Sequence, residues 1–151
     1  MTGIIIIIIA VVVFIKSIPT ITKKENERQF LKNEQILSDI TVYFKNLGYG
    51  YILIKSSDKC DTLYVASNTA TMGERISIDN DKIENDINTL FKNNGYLLIE
   101  KGNNYVRFAV SGLLGHSGGY LYSLDRSIPI SFKVSSLDKL SKDGWYWYVE
   151  N

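Results

Sequence analysis

The chain has 151 residues and a formal net charge of +1, which leaves no basic face of the kind that nucleic-acid binding needs. Its 45% hydrophobic and 22% charged residues are those of an ordinary globular chain, so wholesale disorder is excluded. Cys60 is the one cysteine, which excludes an internal disulfide and a thiolate metal cluster.

The chain starts with an apolar run from Ile4 to Ile15 that nothing later resembles. At ~1.5 Å per residue it spans about 18 Å of a ~30 Å hydrocarbon core. Lys16 can snorkel, and Ser17 and Ile18 extend the segment to roughly 27 Å, a tolerable mismatch. Residues 1–18 are therefore expected to be a transmembrane anchor, with Ile4 to Ile18 in the membrane. A cleaved signal peptide would want a basic residue ahead of Ile4 and a small-x-small cleavage site, and neither is present. A buried strand is favoured by the β-branched side chains but seldom runs so long. Lys16, Lys23, Lys24 and Arg28 all follow the run, so the positive-inside rule places the domain in the cytoplasm.

Pro19 ends the run, and residues 19–28 are expected to form a linker and charged stalk ahead of one α+β domain over 29–151. Thr22-Lys23-Lys24-Glu25 has capping-box form, which predicts a helix start. Phe30, Leu37, Ile40, Phe44 and Leu47 then recur at helical spacing, and Gly48 supplies a left-handed stop. Tyr51–Lys55 and Thr62–Ala66 flank a polar turn and predict a hairpin, with Arg75–Ile78 a short third strand. Asp81 is expected to cap a second helix, with Ile83, Ile87, Leu90 and Phe91 on its apolar face and Gly95 at its end.

The pattern then recurs. Tyr96–Ile99 and Tyr105–Val110 flank Lys101-Gly102-Asn103-Asn104, a second hairpin. Phe44-Lys45-Asn46-Leu47-Gly48-Tyr49 matches Phe91-Lys92-Asn93-Asn94-Gly95-Tyr96. This reads as a helix-plus-hairpin unit used twice, although convergence on good cap residues explains so short a match equally well. Tyr120–Tyr122, Ile128–Val134 and Trp145–Val149 predict further strands, and Ser136 with Leu137 and Leu140 predicts a single helical turn. The expected fold is an antiparallel sheet with both main helices packed on one face.

Gly115-His116-Ser117-Gly118-Gly119 fits the Gly-x-Ser-x-Gly string of a nucleophile elbow. An elbow also needs a helix directly after it and a base histidine elsewhere in the chain. Tyr120–Tyr122 reads as strand, and His116 is the one histidine. Gly112 to Gly119 is better read as a loop where a ligand could approach the backbone. Asp79-Asn80-Asp81 lacks the glycine and glutamate of a calcium loop, so no metal and no cofactor is expected. Tyr120, Tyr122, Tyr146 and Tyr148 crowd neighbouring strands as residue types enriched in binding hot spots.

The leading expectation is thus a membrane-anchored, non-catalytic accessory or protein-binding module. Gly115, His116, Ser117, Tyr120, Tyr122, Tyr146 and Tyr148 are its candidate binding residues. The alternative is a small membrane-tethered hydrolase using the Gly115–Gly119 loop.

Overall fold

The computed structural model describes residues 23–110, 118–126 and 134–150. The expected membrane segment, the Gly115-His116-Ser117 string and all but the last residue of the expected Ile128–Val134 strand lie outside these. Among the described residues, no helix is long and apolar enough to cross a membrane.

The elements run α1 (Lys23–Asn46), β1 (Tyr51–Lys55), β2 (Thr62–Ala66), β3 (Glu74–Ser77), α2 (Asp81–Asn93), β4 (Tyr96–Lys101), β5 (Tyr105–Val110), β6 (Gly118–Ser123), β7 (Val134–Lys139) and β8 (Trp145–Glu150). The eight strands form one sheet in the order β3-β2-β1-β4-β5-β6-β8-β7, antiparallel at every pairing. The protein is therefore α+β, with two helices and an antiparallel sheet.

α1 buries one stripe, Asn26, Phe30, Asn33, Leu37, Ile40 and Phe44, whose alternating spacing of four and three keeps a single helical face toward the sheet. α2 buries Ile83, Ile87 and Leu90. Phe30, Leu37, Ile40 and Phe44 of α1 and the α2 set join one cluster with Ile52, Ile54, Leu63, Val65, Ile99, Val106, Phe108, Tyr120 and Trp145. The ladder registers put these strand residues on a common side of the sheet. Each fully buried Phe or Leu there contributes about 1.5–3 kcal/mol, and Phe30, Phe108 and Trp145 pack ring on ring with centroids 5.2 and 5.9 Å apart. Lys82 bridges Asp39 of α1 and Asp86 of α2, 2.6 Å from each.

Several local expectations change. Lys23–Arg28 are the first turns of α1 rather than a solvated stalk: Asn26 is buried, and Glu27 accepts from the Ser141 backbone N–H at 3.2 Å. The cap of α2 is Asn80, not Asp81, because the Asn80 side chain accepts from the Ile83 N–H at 3.2 Å. Leu137 and Leu140, three apart, mimic one helical turn, yet β7 is a strand. Leu137 pairs with Tyr148 of β8, and Leu140 enters the main core just beyond the strand's end. The close of that hairpin fixes the arrangement, since the Leu140 N–H donates to the Trp145 carbonyl at 3.0 Å.

The order of the first six strands, β3-β2-β1-β4-β5-β6, has a regularity. Each helix is followed by a three-stranded meander, and the first strands of the two meanders, β1 and β4, lie side by side. Gly48 and Gly95 end the preceding helices in the same left-handed conformation, at φ 74° and 72°.

Candidate functional site

The four tyrosines grouped by sequence do not share a surface. Tyr120 pairs with Trp147 and Tyr122 with Trp145, so these four side chains face the helices. Tyr146 pairs with Leu121 and Tyr148 with Gly119 on the opposite side. Nor does that opposite side display its tyrosines freely, because Tyr148 and Leu121 are fully buried there in a second cluster with Tyr105.

Beside that second cluster lies a set of paired charges. Glu100 accepts from Arg107 Nε at 2.8 Å and Nη2 at 2.6 Å, and from the Tyr105 hydroxyl at 2.7 Å. Arg107 Nη1 donates to Glu150. Burial by itself would push the Arg107 guanidinium down, but the charge and hydrogen bonds of Glu100 hold it above its ordinary value. With both carboxylates engaged by one guanidinium, this network orders the sheet rather than offering an acid and a base.

Other titratable groups offer no better centre. The half-buried Cys60 thiol is pushed up, chiefly by burial, which leaves it poorly nucleophilic. Among the described residues, no three His, Cys, Asp or Glu side chains converge where they could hold a metal ion.

The helix side holds a cleft of about 410 Å³ that sequence reasoning missed. It opens between the N-terminal half of α1, the end of α2, the start of β4, the end of β5 and the middle of β6 and β8. Side-chain amides line it: Asn26, Gln29 and Asn33 from α1, and Asn93 and Asn94 from the end of α2. Asn26 and Asn33 occupy core-facing positions of the α1 stripe and are only 5% and 6% exposed. They sit there because this end of the helix faces the cleft rather than packed apolar side chains. The amides form a chain. Asn94 Nδ2 donates to Asn33 Oδ1 at 2.8 Å, and Asn33 Nδ2 donates to the Gln29 carbonyl at 3.3 Å.

Three aromatic side chains complete the walls, Tyr96, Tyr120 and Trp147. Tyr120 and Trp147 meet edge to face at 5.1 Å and 69°. The Tyr120 hydroxyl donates to the Asn26 carbonyl at 3.1 Å, which ties the helix to the sheet across the cleft. The Tyr96 hydroxyl differs. It is buried and makes no well-aligned hydrogen bond among the described residues. Burial, then the neighbouring Tyr120, push its ionisation far above the ordinary tyrosine range, while the nearby Asn33 amide opposes this slightly. A buried hydroxyl left unpaired costs about 1–3 kcal/mol, so its presence here asks for a reason.

Of the sequence-selected residues, Tyr120 alone lines this cleft. Tyr122 lies with Trp145 in a small hollow near Lys142, and Gly115, His116 and Ser117 fall outside the described residues. Gly118, the last but one residue of the string, opens β6. The chain matches no protein-family model, no curated protein and no solved structure.

Proposed function

We propose that this chain is a non-catalytic binding module, carried at a membrane by Ile4 to Ile18, whose ligand seat is the amide-lined cleft beside α1. The observation that carries the reading is the Tyr96 hydroxyl, buried on the cleft wall with no well-aligned hydrogen bond among the described residues, beside Asn33, which with Asn26 occupies a core position. Unsatisfied polar groups concentrate where a protein gives up stability for function. The cleft is concave, mixes apolar rings with a few polar groups, and has the volume of small-molecule sites, about 300–1,000 Å³. The hydrolase alternative gains nothing from the fold, since the elbow needs a helix after its serine and Gly118–Ser123 is strand.

The two helix-plus-meander halves also support one unit used twice. A shift of 47 residues, the one that carries Phe44 onto Phe91 and Gly48 onto Gly95, carries the pair Ile52–Lys101 onto Ile99–Ile54. Both are observed pairs of the same ladder.

The test is Tyr96→Phe. Removing a buried hydroxyl that lacks a well-aligned partner raises unfolding stability by about 1 kcal/mol, read as a higher urea midpoint at unchanged slope. A loss of stability instead marks a satisfied core tyrosine and removes the observation on which the site rests. For the anchor, the full chain is expected to stay with membranes through an alkaline carbonate wash, and release into the supernatant overturns it.

A further inference from the structure

The ligand class follows from the chemistry of the cleft wall, and this step rests on the binding-module reading. We infer that the cleft takes a neutral, polyhydroxylated ligand, a saccharide of one or two rings.

Charge argues first. Only Glu25 and Lys32 bring formal charge to the described wall. Glu25 already accepts from Arg28 Nη2 and Gln29 Nε2, each at 2.8 Å, and Lys32 is exposed at the rim. Among the described residues, no cations converge as a phosphate or carboxylate ligand would require. The wall instead carries neutral amides, a group type with both donors and an acceptor; Asn33, Asn94 and Gln29 each spend part of that capacity on neighbours and keep the rest. Hydroxyl groups, which donate and accept in turn, match such a surface better than groups of one polarity.

The rings argue next. Trp147 is half-buried, and its indole is fixed edge to face against Tyr120. A rigid aromatic surface beside convergent amides suits a ligand with apolar C–H faces and a polar perimeter. Sugar rings have that construction.

The backbone argues against an extended peptide. β4, β5, β6 and β8 around the cleft are each paired on both sides, so none offers an edge for strand addition. Among the described strands, recognition there falls to side chains. A volume of about 410 Å³ lies near the lower end of small-molecule sites and is too small for a folded partner.

The experiment uses the full chain in lipid nanodiscs, since sugar-headed detergents would compete. Side-chain amide and indole signals are followed by NMR during titration with N,N′-diacetylchitobiose, cellobiose, maltose, an acetylated Gly-Ala-Ala amide and inorganic phosphate. At least one sugar is expected to shift the Trp147 indole and the Asn33 and Asn94 amides saturably. Asn93→Ala, at an exposed position, is expected to weaken that binding several-fold, and Trp147→Phe tenfold or more, with folding unchanged by urea titration. Saturable shifts from the peptide or phosphate, and none from the sugars, overturn the ligand class while leaving the binding module standing. No shift from any probe, in a chain shown to be folded, overturns both.

Discussion

Leu53 of β1 lies opposite Glu100 of β4, and the shift that turns Gly48 into Gly95 turns each member of this pair into the other's position. The pair therefore marks an approximate two-fold axis through the sheet, with a helix and a three-stranded meander on either side. The chemical difference at the axis is informative. Leu53 is an ordinary sheet residue, whereas Glu100 is buried and held by Arg107 and Tyr105. One half has a plain sheet residue at this position and the other a polar network, to which β8 adds Glu150.

The symmetry predicts matching responses at Gly48 and Gly95. Both have positive φ, and a Cβ built at either meets nothing within 4 Å. Conversion to Ala thus adds backbone strain without a steric clash. Each change is expected to cost about 1–2 kcal/mol, measured by urea denaturation, and Asn should cost less than Ala at both sites. Unequal losses at the two positions would show that the halves do not bear load alike.

Arg107→Leu is expected to destabilise the fold by about 3–5 kcal/mol, because it strands two carboxylates that are 9% and 21% exposed. Lys should not restore the loss. Arg107 reaches Glu100 through Nε and Nη2 and Glu150 through Nη1, and an ammonium cannot span that fork. Denaturant midpoints for the two variants check this, with Lys expected to stay close to Leu.

At alkaline pH, three deeply buried tyrosines contribute most, and burial raises Tyr43, Tyr51 and Cys60 in the same direction. Tyr96, Tyr120 and Tyr148 are each pushed up mainly by burial. Above about pH 10 the unfolded chain releases these protons while the folded chain keeps them. The folded state then binds more protons, so their stabilisation is complete below about pH 10 and is lost as pH rises further. The limiting slope for three groups is about 4 kcal/mol per pH unit. Lys101 acts the other way, since burial depresses its pKa and the unfolded chain binds the extra proton. Below about pH 10 Lys101 and Cys60 oppose one another, so stability should change little there and fall steeply beyond it. Urea midpoints across this range test the sign, and Tyr148→Phe should reduce the alkaline slope by one proton.

The elements were legible because their signals are local. The apolar stripe of α1, the Gly48 and Gly95 stops and the hairpin turns all follow from spacing along the chain. Asn80 was passed over for Asp81 because either can cap, and only the observed bond to the Ile83 N–H decides between them. The cleft was missed for a different reason. Asn26 and Asn33 stand on the same stripe as Phe30 and Leu37, a polar interruption that can be read from sequence. Their meaning depends on Asn94 and Tyr96, which come from α2 and β4 and are brought close only by the fold. The four tyrosines divide between two surfaces because β6 and β8 alternate faces: pairing Tyr120 with Trp147 sends Tyr146 and Tyr148 to the other side, as alternation along β8 leads one to expect.

Gly119 separates a structural from a functional role for the glycine string. It is the second residue of β6 and lies opposite Ala109 and Tyr148 in its two ladders. A Cβ there would sit 2.0 Å from the Phe108 carbonyl oxygen and 3.0 Å from the Ala109 Cα, both backbone atoms that cannot swing aside. At Gly118 the nearest atom is the Tyr148 carbonyl oxygen at 2.9 Å, a clash that a smaller shift relieves. Gly119→Ala must therefore force the β5–β6 ladder apart, at about 3 kcal/mol or more, while Gly118→Ala should cost clearly less. If the string served catalysis or ligand binding instead, both variants would keep their stability and lose activity. Urea denaturation of the pair distinguishes the two, with the larger drop expected at Gly119.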